Sequence, residues 1–193
     1  GKMGYALAEA AADAGAEVTL ISGPVSLTIN RPDIKILRVE SAKEMYSACC
    51  NVFPATDIAI MCAAVADYAP ADVATEKIKR EEGDAPTIRL IKNPDIAAAL
   101  GKAKRQGQIL VGFALETNNE EVNAIKKIKS KNLDMIVLNS LRDADSGFGT
   151  DTNKITLIMA DGEKIPFELK SKKEVAKDII NSITSISASG REA

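Results

Sequence analysis

Apolar positions along the chain follow two periods, one typical of helices and one typical of strands. Residues 3–14 place small and apolar side chains at helical spacing and end before Gly15, whereas residues 17–21 alternate as a strand does. The alternation of the two patterns continues to residue 138. The other predicted helices are 42–52, 94–104, 119–131 and 173–183, and the other predicted strands are 34–39, 58–62, 87–91, 109–113 and 135–138.

A hairpin follows this alternating part. Two runs of strand-like pattern, 154–159 and 164–169, flank Asp161-Gly162, a dipeptide that favours tight hairpin turns. The sequence therefore predicts an α/β fold, Rossmann-like and doubly wound, with a mainly parallel sheet, helices on both faces and a C-terminal β-hairpin. We expect one domain over residues 1–185 and a frayed tail over 186–193. Because the pattern opens on a helix, we also expect a first strand upstream of Gly1, so that the domain is N-terminally truncated.

The stretch 68–83 loses the apolar period and becomes charged. We interpret it as a mobile excursion from which the strand 87–91 returns. Lys77 and Lys79 lie within it, and a charge run of this kind favours a solvated face. The alternative is a flap that carries a lysine onto a triphosphate, where positive charge stabilises the charge that develops at phosphorus.

The composition excludes several classes of protein. The 193 residues are 46% hydrophobic, and no apolar run reaches the 18 residues that indicate a membrane span. The 25 basic and 27 acidic residues give a formal net charge of -2, which does not favour nucleic acid as a partner. Histidine is absent, which excludes a Ser-His-Asp triad and most catalytic zinc sites.

The cysteines are Cys49, Cys50 and Cys62. Their odd number and the adjacent pair within a predicted helix argue against disulfides and for a reducing cytoplasm. Cys62 follows a predicted strand with no apparent base to activate it. We interpret it as a structural or backbone-contact residue and not as a nucleophile.

Three turns of unusual composition follow apolar runs, at residues 62–68, 92–96 and 112–117. Ligands bind at the carboxyl ends of parallel strands, so these turns predict one crevice for a small phosphorylated ligand. The Asp67 carboxylate is suited to accept hydrogen bonds from ribose hydroxyls or to hold a cation there, and it is equally suited to cap a helix. The Asn-Pro-Asp-Ile sequence at 93–96 suits either a phosphate bound by helix amides or a plain helix cap with Pro94 in the first turn.

Two further features carry alternatives. Gly1-Lys2-Met3-Gly4 lacks the serine or threonine after the lysine and the earlier glycine that a phosphate-binding P-loop needs. Its glycines therefore indicate either a helix start whose backbone approaches an anion or a plain helix start. A second feature is a lysine cluster near one helix C-terminus, where cations are favourable, and we expect most of its members to face solvent and one or two to reach a phosphate. Its members are Lys126, Lys127, Lys129 and Lys131.

Taken in this order, several fragments resemble phosphopantothenoylcysteine synthetase, the phosphopantothenate–cysteine ligase family, in its bacterial CTP-using form. They are GKMG, SGPVSL, AAVADY, EKIK, KNPDI, GFALET, KSKNLD and IVLN. The resemblance implies a ligase of coenzyme A biosynthesis that joins 4'-phosphopantothenate to L-cysteine through an acyl cytidylate. It also implies CTP as co-substrate, Mg2+ as cofactor and no FMN in this chain.

The resemblance also implies a set of nucleotide-binding residues. Backbone contacts to cytosine would come from residues 61–63, and Lys77 matches the flap lysine, which we take as catalytic. The resemblance leaves the metal ligands unspecified. The implied set is Met61, Cys62, Ala63, Asp67, Lys77, Pro94, Asp95, Ile96, Ala97, Phe113, Lys127 and Lys131.

In the family, an Arg- and Asn-bearing segment precedes GKMG. We therefore expect the 193-residue chain alone to bind CTP and to turn over poorly. The resemblance implies a homodimer, whose interface we assign to the region after Ser140 with its hairpin. It also implies a flavin-dependent decarboxylase fused to or associated with this domain. The rival functions are a dinucleotide-dependent oxidoreductase and a non-catalytic nucleotide-binding domain.

Overall fold

The computed structural model describes residues 1–77, 87–116, 120–140 and 150–189, with the backbone alone at 116, 140 and 187–189. A 3-10 turn, Phe53–Ala55, follows the second helix. The elements in chain order are α1 (Lys2–Asp13), β1 (Val18–Ser22), β2 (Ile34–Arg38), α2 (Ala42–Val52), β3 (Ile58–Met61), β4 (Tyr68–Pro70), β5 (Leu90–Lys92), α3 (Ile96–Ala103), β6 (Ile109–Glu116), α4 (Glu120–Lys131), β7 (Met135–Ser140), β8 (Thr152–Met159), β9 (Lys164–Ser171) and α5 (Lys172–Ser189).

The main sheet has the strand order β3-β6-β7-β8-β9. The first three strands are parallel, with Met61 beside Gly112 and Phe113 beside Val137, and the β8–β9 hairpin adds two antiparallel strands. Gly162 has a positive φ of 98° in the hairpin turn, a conformation that glycine adopts without strain. The predicted combination of parallel strands and a C-terminal hairpin is confirmed.

Each face of the main sheet is covered by helices. Neighbouring strand residues point to opposite faces, so Val111 and Val137 pack against α1 and α5, whereas Leu110 and Ile136 pack against α2, α3 and α4. Leu110, Val111 and Val137 are 0% exposed. Apolar strand residues that are buried on both faces explain why the strand patterns read as continuous apolar runs.

The strands β1 and β2 form a separate parallel pair. Helix α1 bridges the two sheets, because Leu7 packs with the main sheet while Ala8 and Ala12 pack with Ile34. Among the described strands, β1 pairs with β2 alone and β3 pairs with β6 alone. The strand expected upstream of Gly1 stays a prediction.

The predicted strand 87–91 is wrong in extent and in placement. Only Leu90–Lys92 is a strand, and it pairs antiparallel with β4, outside the main sheet. We name β4 and β5 together the ribbon. Its side chains are not covered by a helix layer, since Tyr68 is 60% exposed and Leu90 56% exposed. An alternating apolar pattern normally indicates one buried face, which this ribbon lacks within the described residues.

Three other boundaries differ from the prediction. The stretch at residues 112–116 is not a turn, because β6 continues beside β7 to Glu116. Helix α3 begins at Ile96, so Pro94 precedes the helix and Asp95 is its N-cap. Helix α5 runs past the predicted end at residue 183 to Ser189. Its Ser182 and Ser185 hydroxyls donate to carbonyls one turn earlier, which satisfies these polar groups within the helix.

None of the helices in the described ranges is both long enough and apolar enough to cross a membrane.

Candidate functional site

Residues 61–67 leave the carboxyl end of β3 beside β6. Met61 and Val65 pack against the core cluster that contains Ile96, so these two residues lie on the side of the sheet that α3 covers. Cys62 instead packs against the core cluster beneath α1 and α5. Burial raises the pKa of the Cys62 thiol to about 11, so little nucleophilic thiolate is present at neutral pH.

The segment that contains Asp67 is joined to the turn that precedes α3. The Asn93 amide donates to the Asp67 carbonyl at 2.8 Å, and Asn93 Nδ2 donates to the Ala66 carbonyl at 2.9 Å. One residue further, Tyr68 pairs with Lys92 in the ribbon. Two of the three turns predicted to form one site therefore lie side by side, with the Asp67 side chain exposed.

Helix α3 presents its amino end at this junction. Asp95 Oδ1 accepts a hydrogen bond from the Ala98 amide at 3.0 Å and so caps the helix, while Ile96 is 5% exposed and anchors it in the core. The first amides of a helix have no partner within the helix and carry partial positive charge. Pro94 and Asp95 are exposed and Ala97 is half-buried, so this end of the helix is open to a ligand.

Lys131 reaches the same point from the last residue of α4. Its Nζ lies 2.9 Å from Asp95 Oδ2 and donates to Asp95 Oδ1 at 3.2 Å. Burial opposes ionisation of the Asp95 carboxyl, but the Ala98 amide and Lys131 outweigh it, so the pKa of Asp95 lies below its usual value. We name residues 61–67, residues 94–97 and Lys131 together the α3 site.

The remaining predicted residues stand in different relations to the α3 site. Lys127 is half-buried one helical turn before Lys131 and shares its face of α4. Phe113 is partly buried against the core beneath α1 and α5, on the opposite face of the sheet from α3. Lys77 is exposed and makes no hydrogen bond or ion pair within the described residues. Lys79, Thr117 and residues 141–149 of the assigned dimer interface lie outside the described residues, whereas the hairpin of that interface is described.

A second polar group, at the start of α1, was missed from the sequence. Asn139 and Asn153 are buried and joined by a hydrogen bond of 3.4 Å, and Lys172 is 8% exposed. Lys2 forms an ion pair with Asp151 at 2.7 Å beside them. Burial, and next the charge of Lys2, lower the pKa of Lys172. The available signal was an asparagine within each of two apolar strands, because a buried amide needs a polar partner.

No group of three or more Cys, Asp or Glu side chains that could hold a metal ion occurs in the described ranges. The described part of the chain therefore adds no such ligand group to the α3 site.

Comparison with known proteins places the chain in a family. The model of the DNA/pantothenate metabolism flavoprotein C-terminal domain, DFP, matches residues 1–186. The chain belongs to this family. The match confirms the family resemblance found in the sequence and covers the α3 site as a whole.

Two curated relatives extend beyond the DFP domain. A protein of an unknown prokaryotic organism, named cysteine/cysteine sulfinic acid decarboxylase, is 53% identical over 186 residues, which are 96% of this chain and 52% of the relative. The coenzyme A biosynthesis bifunctional protein CoaBC of Bacillus subtilis (strain 168) is 46% identical over 187 residues, which are 97% of this chain and 46% of the relative. The chain spans about half the length of these relatives.

A solved structure supports the DFP fold directly. The crystal structure of the C-terminal domain of coenzyme A biosynthesis bifunctional protein CoaBC matches with a TM-score of 0.80 at 40% identity, covering 96% of this chain and 82% of that chain. The predicted α/β architecture with helices on both faces is therefore confirmed.

Proposed function

We propose that this DFP domain is a CTP-dependent ligase that joins 4'-phosphopantothenate to L-cysteine in coenzyme A biosynthesis. The observation that carries the proposal is the α3 site, in which a strand end, the amino end of a helix and Lys131 converge. Free helix amides and an ammonium group suit a polyphosphate. The CoaBC relatives and the solved CoaBC domain support coenzyme A biosynthesis as the context.

The proposed reaction has two steps. In the first, a carboxylate oxygen of 4'-phosphopantothenate attacks the α-phosphorus of CTP and pyrophosphate leaves, which forms an acyl cytidylate. In the second, the cysteine amine attacks the acyl carbon, loses a proton and expels CMP, which forms the amide. Lys131 and the amides of Ile96 and Ala97 would hold the triphosphate, and Lys77 would stabilise the charge that develops at the α-phosphoryl group.

The described residues fit the proposed Mg2+ only if the bound nucleotide supplies most of its ligands. The described residues contain no cluster of three carboxylate or thiol groups, so they offer no cage made of protein alone. Mg2+ commonly binds through substrate phosphates, waters and one or two carboxylates. The ion would therefore be held mainly by the triphosphate, whose negative charge it would partly neutralise.

The wider assembly is part of the same proposal. We propose a homodimer in the cytoplasm, with a flavin-dependent decarboxylase fused to or associated with this domain and FMN bound there instead of here. The relative named as a decarboxylase, of which this chain matches 52%, is the observation that favours such a neighbour. Light scattering tests the dimer, and the flavin absorbance of the purified chain tests the location of FMN.

The direct test is incubation with CTP, Mg2+, 4'-phosphopantothenate and L-cysteine, followed by mass spectrometry. We expect acyl cytidylate, CMP and the amide as products, and the assay compares the 193-residue chain with a form extended upstream of Gly1. Omitting cysteine should leave the acyl cytidylate as the last product. Failure of both forms to release pyrophosphate from CTP would refute the ligase.

Thermal shift measurements separate the rival functions. A ligase of this type should be stabilised by CTP more than by ATP or NAD, because bound ligand stabilises the folded state according to its affinity. Stabilisation by NAD alone would favour an oxidoreductase. Stabilisation by CTP without any turnover in the extended form would favour a non-catalytic nucleotide-binding domain.

A further inference from the structure

The four residues Lys131, Asn132, Leu133 and Asp134 form a turn that we name the KNLD segment. It ends α4 with a Schellman motif, because the Leu133 amide donates to the Ile128 carbonyl at 3.0 Å and Asn132 has a positive φ of 52°. Asparagine and glycine are the residues that most readily adopt this conformation. The motif sets the direction in which the chain leaves α4.

Two residues of the segment are anchored to β6. The Leu133 side chain fills the space above Gly112, where a Cβ would lie 2.6 Å from Leu133 Cδ1. The Asp134 carboxylate accepts from the Leu110 amide at 2.7 Å and from Lys104 Nζ at 2.8 and 2.9 Å. These contacts hold the downstream half of the turn on the main sheet.

The third anchor joins the segment to α3. Asn132 Nδ2 donates to the Gly101 carbonyl at 2.9 Å, and a Cβ at Gly101 would lie 1.8 Å from the Lys131 carbonyl oxygen. No side chain fits at that distance, so α3 and the end of α4 approach each other only because residue 101 is glycine. The contact lies less than two helical turns from Asp95, the residue with which Lys131 pairs.

We propose that Asn132 and Gly101 are positioning residues that hold Lys131 over the amino end of α3 and so set the strength of nucleotide binding. The proposal rests on the proposed function in its nucleotide part, whereas the placement of Lys131 can be tested alone. Asn132 fixes the distance between the two helix ends through its side-chain amide. Gly101 permits that distance.

The variant N132G separates positioning from helix capping. Glycine retains the positive φ and the Schellman motif but removes the hydrogen bond to Gly101, so a role limited to capping predicts unchanged or higher stability. If Asn132 positions Lys131, the Kd and KM for CTP should rise about three- to tenfold in N132G, with little change in kcat. This is the effect expected from the loss of one hydrogen bond. The control is S130A, which removes a polar side chain from the same helix end without touching α3.

A second measurement does not need nucleotide. The titration of the Asp95 carboxyl, followed by carbon-detected NMR and assigned with D95N, should move to higher pH in K131A. It should move part of the way in N132G, and S130A should match the unsubstituted chain. A G101A variant that folds should behave like N132G or more severely.

The outcomes are distinct. If N132G leaves both the Asp95 titration and CTP affinity unchanged while K131A alters them, the positioning role is refuted. If the unsubstituted chain binds no CTP, the proposed function fails, and the Asp95 titration in N132G still decides whether Asn132 places Lys131.

Discussion

The side chains assigned to nucleotide binding include some that build the α3 site and some that would act only on a bound ligand. Asp95 builds the α3 site, because the same carboxylate caps α3 and pairs with Lys131. Lys77 would act only on the bound nucleotide, since its exposed side chain has no hydrogen bond or ion pair in the described part of the chain. We therefore expect substitution of Asp95 to lower stability and substitution of Lys77 to lower activity.

Substitution of Asp95 should affect stability in a manner that depends on the replacement. D95A removes the cap and the ion pair and should lower the free energy of unfolding by about 1 kcal/mol, whereas D95N keeps a capping oxygen and should lower it less. Urea denaturation measures both. Equal losses in the two variants would contradict the capping role.

The pH dependence of D95N follows from the lowered pKa of Asp95. A carboxyl whose pKa is lower in the folded state stabilises the fold above its unfolded pKa, about 4, and loses this contribution as the pH falls through the folded value. The stability difference between the unsubstituted chain and D95N should therefore shrink below about pH 4. A difference that grows on acidification would contradict the ion pair.

Substitution of Lys77 should affect catalysis alone. K77A should lower kcat of the extended form about 10²- to 10³-fold by removing charge stabilisation at phosphorus, with the melting temperature unchanged. K102A, which removes an exposed lysine from the end of α3, serves as the control. Equal activities of K77A and K102A would remove Lys77 from the catalytic group.

At the scale of elements, Asp134 connects β6, β7 and the end of α3. D134A leaves Lys104, whose side chain is 11% exposed, without this carboxylate and removes the acceptor for the Leu110 amide. We expect a loss of about 2–3 kcal/mol in the free energy of unfolding, measured in urea. D134N retains one acceptor and should lose less. A neutral D134A would show that the pair does not hold the sheet to α3.

The helices and central strands were predictable because their signals are local. Ser41 caps α2 by accepting from the Glu44 amide, as its position before the apolar period indicated, and Asp161-Gly162 marked the hairpin. The ribbon was not predictable as such, because β4 has no apolar period and nothing local in β5 shows that it pairs with β4 outside the main sheet. The end of α5 was missed since its serines satisfy their hydroxyls within the helix.

At the scale of the molecule, the sequence located the turns but not their mutual arrangement. The links from Asn93 to residues 66–67 and from Lys131 to Asp95 join residues 26 to 36 positions apart, and the Gly101–Lys131 approach depends on how two helices pack. The buried group of Asn139, Asn153 and Lys172 was missed because the two asparagines lie one residue outside the predicted strands, and packing alone brings Lys172 beside them. The arrangement of the turns therefore depends on long-range packing, which local sequence patterns do not show.

A crystal structure of this domain with CTP and Mg2+ would show whether CTP binds at the α3 site. We expect phosphate density against the Ile96 and Ala97 amides and Lys131, with the cytosine beside residues 61–63. A nucleotide bound elsewhere, or an empty α3 site at saturating CTP, would contradict it.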